Sequence, residues 1–121
     1  MSGERPWVAC ICAAWCVACR EYRATFTALA AQFGTDADFA WIDIEDDADL
    51  LGDLDIENFP TLLIADARGA RFFGPVMPQA ATAERLIRGA LSGGIAAEVD
   101  PETVERVRAL VSARRTGAGE A

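Results

Sequence analysis

All four cysteines of the chain, Cys10, Cys12, Cys16 and Cys19, fall within ten residues, in the stretch CICAAWCVAC. Thiols packed this closely can hold a metal, close structural disulfides, or pass electrons as a dithiol–disulfide pair. The remaining composition narrows the chemistry. The chain has no His, and its eleven basic residues are all Arg. This removes Ser–His–Asp and Cys–His catalysis, His-ligated zinc and Lys Schiff-base chemistry.

Four thiolates suit a tetrahedral zinc site. Zinc hooks of the C-x-x-C type, however, are usually separated by a dozen or more residues. Here only Ala13–Trp15 separate the pairs, and that stretch must also carry the chain from one element to the next. Cys12, Cys16 and Cys19 have the C-x₃-C-x₂-C spacing that resembles the cluster loop of radical S-adenosylmethionine enzymes. Those enzymes need a far longer barrel-like domain, and no glycine-rich cofactor loop follows. Eight of the fifteen residues from Asp43 to Glu57 are acidic. A calcium loop fails there on pattern, because Asp53, Asp55 and Glu57 are followed by Asn58 rather than the Gly of the loop's turn. The run reads as a solvated acidic face, and no metal or organic cofactor is expected.

The remaining reading is redox. It depends on the elements that carry the thiols. Trp7–Ala13 is a short apolar run of the kind that forms a buried central strand. From Val17 to Phe33 the period changes, and Tyr22, Phe26, Leu29, Ala30 and Phe33 recur at helical spacing. Gly34 is expected to end that helix in a left-handed conformation. Cys10 and Cys12, two apart on the strand, face the same way and read as buried small hydrophobes. Cys16 falls at the first turn of the helix, where unpaired N–H groups and the dipole favour a thiolate. Such a thiol becomes nucleophilic near neutral pH. Cys19 lies one turn on, within reach of a disulfide, and Arg20 adds positive charge.

Further along, Phe39–Ile44 and Thr61–Ala65 read as strands. Asp47–Leu54 is a short acidic helix. Arg68–Gly69 is a turn into a fourth strand near Ala70–Phe73. Thr82–Leu91 is a helix ended by Gly93–Gly94. A last helix spans Pro101–Ala113, capped by Asp100 with Pro101 at its first position. The expected division is an N-terminal segment 1–6, a domain over 7–92, a linker and C-terminal helix over 93–115, and a disordered tail 116–121. The first two strands bracket a long helix, so they should be parallel.

With these elements in place, Trp15-Cys16-Val17-Ala18-Cys19 at a strand-to-helix junction resembles the W-C-x-x-C of the thioredoxin family. WIDIEDDADLLGDLDIENFPTLLIADARG resembles that family's second half, with Pro60 44 residues after Cys16. The resemblance covers roughly residues 7–92. The local stretch AAWCVACREY is most similar to the C-terminal domain of thiol–disulfide interchange reductases. The fold implied is α/β: a truncated thioredoxin-like fold with a central mixed four-stranded sheet flanked by helices. It lacks the family's first strand and helix and carries an extra C-terminal helix. The Phe39–Ile44 strand then becomes an open edge, to be covered by that helix or by a second subunit in a homodimer.

The resemblance implies that Cys16 attacks and Cys19 resolves. Trp15, Phe59 and Pro60 would face the substrate, with Pro60 as the cis proline. Where relatives keep a buried Asp beneath the resolving cysteine, this chain has Cys10; the accompanying Lys aligns with Trp41. Cys10 and Arg20 would therefore tune the site. The implied function is a protein-disulfide oxidoreductase, working as a reductase and recharged by an electron-donating reductase. The alternative is a thioredoxin-fold binding or assembly module with little turnover. A net charge of −8 disfavours nucleic acid and anionic membranes. The Pro6–Ala18 run is too short to span a bilayer, and no positive segment precedes it as in a signal peptide. The expected compartment is the cytoplasm, where paired cysteines are more often catalytic than structural.

Overall fold

The apolar run WVACIC forms strand β1 (Trp7–Cys12), with all six residues buried. A strand buried on both faces belongs inside a sheet, and β1 is an inner strand. The computed structural model of the chain describes residues 5–13, 15–34, 36–44, 60–76, 79–93 and 96–113. Within these, helix α1 (Val17–Gln32) leads to β2 (Asp38–Asp43). Strands β3 (Thr61–Asp66) and β4 (Gly69–Pro75) follow, then helices α2 (Ala80–Leu91) and α3 (Pro101–Ala113). The strands form one mixed sheet in the order β2-β1-β3-β4. The expected acidic helix over Asp47–Leu54, Phe59 and the C-terminal tail lie outside the described residues.

β1 pairs with β2 in parallel, Cys10 opposite Trp41, and with β3 antiparallel, Cys10 opposite Leu62. A parallel pair needs a crossover, which α1 supplies. β3 and β4 are antiparallel. The Asp66 side chain accepts the Arg68 N–H at 2.9 Å across their turn, and Gly69, at φ 130°, takes a conformation that side-chain-bearing residues rarely adopt.

Alternation along β1 divides the core. Val8, Cys10 and Cys12 join Tyr22, Phe26, Leu29, Phe39 and Ile87 beneath α1 and α2. Trp7, Ala9 and Ile11 join Ile42, Leu63, Val104, Val107 and Val111 beneath α3. The C-terminal helix thus packs on the sheet, chiefly against β2 and β1. It covers a face of β2, and β2 ends the described sheet on that side. The Thr103 N–H donates to Asp100 Oδ2 at 3.2 Å, the expected cap of α3.

One helix end differs from expectation. α1 closes at Phe33, whose N–H donates to the Leu29 carbonyl. The positive-φ residues described are Gly69 and Gly93, so Gly34 takes no left-handed turn. Instead the chain continues its turn, with the Asp36 and Ala37 N–H groups donating to the Phe33 carbonyl. No helix among the described residues is long and apolar enough to cross a membrane.

Candidate active site

The C-terminal end of β1 and the N-terminus of α1 meet at the cysteine cluster. Cys16 is the N-cap of α1, with extended backbone at φ −88° and ψ 123°. Its carbonyl accepts the Arg20 N–H, and its own N–H donates to the Ala13 carbonyl. Cys16 is half-buried, and its side chain is not engaged in capping. The flanking Trp15 and Val17 are the exposed large hydrophobic residues of the described chain, at 60% and 58% exposure. A thiol at a helix start, between two exposed apolar side chains, can meet both an incoming disulfide and the peptide that carries it. Arg20 lies on the exposed side of the same turn.

The bonding within the cluster differs from the expected Cys16–Cys19 pair. Cys19 is bonded to Cys12, with their Cα atoms 5.8 Å apart, while Cys10 and Cys16 are free thiols. The reason is directional. Residues 10 and 12 of β1 both face α1, and Cys12 is the last residue of the strand, next to the helix's first turn. Cys19, one turn into α1, points inward and is fully buried. It meets Cys12 there. Cys12 is buried as expected, but it is not simply a small hydrophobe.

The sequence expectation puts Cys10 beneath Cys19; the structure puts Cys12 there. Cys10 lies one step further back along β1, its Sγ 3.9 Å from that of Cys12. Burial pushes the Cys10 thiol strongly up in pKa, and the Arg23 guanidinium counters only part of that. Cys10 is therefore held as a neutral thiol. Burial also pushes the Tyr22 hydroxyl up to about 12, and nearby Cys10 adds to the shift. The Tyr22 hydroxyl is buried with no hydrogen-bond partner among the described residues.

Three residues of this arrangement escaped the sequence reading. The same-face geometry of Cys10 and Cys12, carried one step further, would have pointed Cys12 at Cys19. Tyr22 and Arg23 lie one turn beyond Cys19 on the same helix. Arg23 packs over Trp41 at 4.8 Å from the ring centroid, supplying a positive charge near Cys10. Pro60 is buried at the entry to β3, its carbonyl accepting the Val76 N–H at 3.0 Å. Phe59 lies outside the described residues. Among those residues no three acidic, His or Cys side chains converge to hold a metal ion.

Residues 1–83 match the sequence profile of the thioredoxin family. No curated protein sequence matches the chain. Several solved structures share the fold. A thioredoxin from Trypanosoma brucei brucei is 21% identical, with a TM-score of 0.64 over 76% of this chain and 80% of that one. The germline-specific thioredoxin Deadhead of Drosophila melanogaster is 18% identical, with a TM-score of 0.63 over 69% and 79%. Spinach chloroplast thioredoxin f is 21% identical, with a TM-score of 0.63 over 73% and 78%.

Proposed function

The chain belongs to the thioredoxin family, and from that premise we propose that it is a thiol–disulfide oxidoreductase that reduces protein disulfides. The Cys16 thiolate attacks one sulfur of a substrate disulfide, releasing the other as a thiol and forming a mixed disulfide. The Cys19 thiolate then attacks Cys16 Sγ, freeing the second substrate sulfur and leaving a Cys16–Cys19 disulfide. A separate reductase returns the pair to the dithiol. Exposed Trp15 meets the substrate peptide, which Phe59 and Pro60 help to receive, and Arg20 adds positive charge on the first turn of the helix.

The observation that carries this reading is the placement of Cys16. It is the one described cysteine that is not buried, it caps a helix, and it sits between exposed Trp15 and Val17. The sulfur is reachable from solvent, and the apolar flanks offer contact to a peptide. Insulin reduction driven by a dithiol reductant tests it. The reduced wild type should catalyse the reaction and Cys16→Ser should not. Equal rates for the two proteins would remove Cys16 from the chemistry.

A further inference from the structure

We propose that Cys12 is a third redox-active thiol, and that Cys19 shares one disulfide between two partners: a buried bond to Cys12 and a surface bond to Cys16. The inference rests on the reading of Cys16 and Cys19 as the exchanging pair. The observations are the Cys12–Cys19 bond, the free Cys16 packed against the same core, and the free Cys10 thiol beside Cys12.

The exchange needs no outside reagent. From the surface form, the Cys12 thiolate attacks Cys19 Sγ. The Cys16–Cys19 bond breaks, the Cys12–Cys19 bond forms, and Cys16 leaves as a thiolate. In the reverse direction Cys16 attacks Cys19 and Cys12 leaves. One disulfide is present before and after, so nothing is oxidised or reduced overall. When Cys12 leaves, it does so into a buried site where a bare thiolate is costly. There Cys10, held neutral and 3.9 Å away, can donate a sulfur hydrogen bond to it. Cys10 thus acts as a positioning donor for the buried sulfur.

The two forms differ in what Cys16 can do. With the bond at the surface, both site thiols are oxidised and Cys16 is silent. With the bond buried, Cys16 is free but has lost its resolving partner. It can then attack a disulfide and remain joined to it. The same chain would turn over substrates when fully reduced and retain one when the buried bond is closed. Reduction of Cys12–Cys19 by a dithiol reductant, itself oxidised to a disulfide, would free Cys19 to attack Cys16 Sγ, break the mixed disulfide and release the captured partner as a thiol.

Disulfide mapping of the full chain tests this. Chymotrypsin cleavage after Trp15 separates Cys10 and Cys12 from Cys16 and Cys19. Protein equilibrated in glutathione buffers is acid-quenched, alkylated, cleaved and weighed. A buried bond leaves the two fragments joined, and a surface bond leaves them apart. Wild type should give both products, and Cys16→Ser only the joined one. A second readout uses 5-thio-2-nitrobenzoate as the probe, placed on Cys16 with dithionitrobenzoate. On wild type with the Cys12–Cys19 bond closed, the adduct should outlast at least tenfold that on Cys12→Ser reduced before labelling, where Cys19 is a free thiol. Absence of joined fragments from wild type in every buffer would overturn the proposal, whatever the variants do. If both forms appear while insulin is not reduced, the migration stands and the oxidoreductase assignment falls. If insulin is reduced with no joined fragments, the reverse holds.

Discussion

The Arg23 guanidinium lies 4.8 Å from the centre of the Trp41 ring, and Trp41 is the register partner of Cys10 across the β1–β2 pair. One cation thus packs on an aromatic ring and lowers the cost of charge on a buried thiol. A cation over an indole face contributes about 0.5–1 kcal/mol at partly exposed sites. Arg23→Gln should lower stability by about that amount, read as a fall in the denaturant midpoint at neutral pH. An unchanged midpoint would show that the contact contributes nothing. The Trp41 ring also meets Phe26 edge-on at 5.8 Å, so its fluorescence should report the loss.

Stability should fall in mildly alkaline solution. Burial raises the folded-state pKa of Cys10 above the unfolded value of about 8.5. The native state then holds a proton that the unfolded chain releases. The associated stability is complete below about pH 8.5 and declines as pH rises beyond it, by up to about 1.4 kcal/mol per unit. Tyr22, pushed up to about 12, adds a second decline above about pH 10. Denaturant titrations from pH 7 to 10 should show the first slope in wild type and a flatter line in Cys10→Ala. Parallel curves would assign the loss to other groups.

Alkylation should distinguish the thiols by depth. Cys16 is half-buried, whereas Cys10 is fully buried and Cys12 and Cys19 are bonded. Brief iodoacetamide treatment of the oxidised protein near neutral pH should modify Cys16 first, with Cys10 modified only on unfolding. Peptide mass mapping checks the order. Faster labelling at Cys10 would contradict the placement of β1 inside the sheet.

The C-terminal helix should be integral to stability. Val107 is fully buried against the sheet, and α3 begins at a cap made by Asp100. Asp100→Ala should cost about 1 kcal/mol, as lost side-chain caps usually do. Val107→Ala should cost roughly 1–3 kcal/mol, through lost transfer energy and the void left behind. Urea melts of both variants measure this. Wild-type midpoints for both would mean that α3 contributes nothing to the folded sheet.

Much of the molecule is legible from local pattern. The switch from an unbroken apolar run at Trp7 to helical spacing at Tyr22, Phe26 and Leu29 determines β1, α1 and the parallel pairing with β2. Asp100-Pro101 marks the start of α3. The order of cysteines within one strand and one helix turn places Cys16 at the helix cap, because a cap is set by its neighbours in sequence. The partner of Cys19 is not a local property. Cys12 and Cys16 are both near it along the chain, and spacing alone favours Cys16. The packing of α1 over the end of β1 decided for Cys12, because Cys19 points toward the sheet while the helix cap lies toward solvent. Arg23 beside Cys10 likewise depends on β2 bringing Trp41 alongside β1, a contact between segments that sequence spacing does not encode.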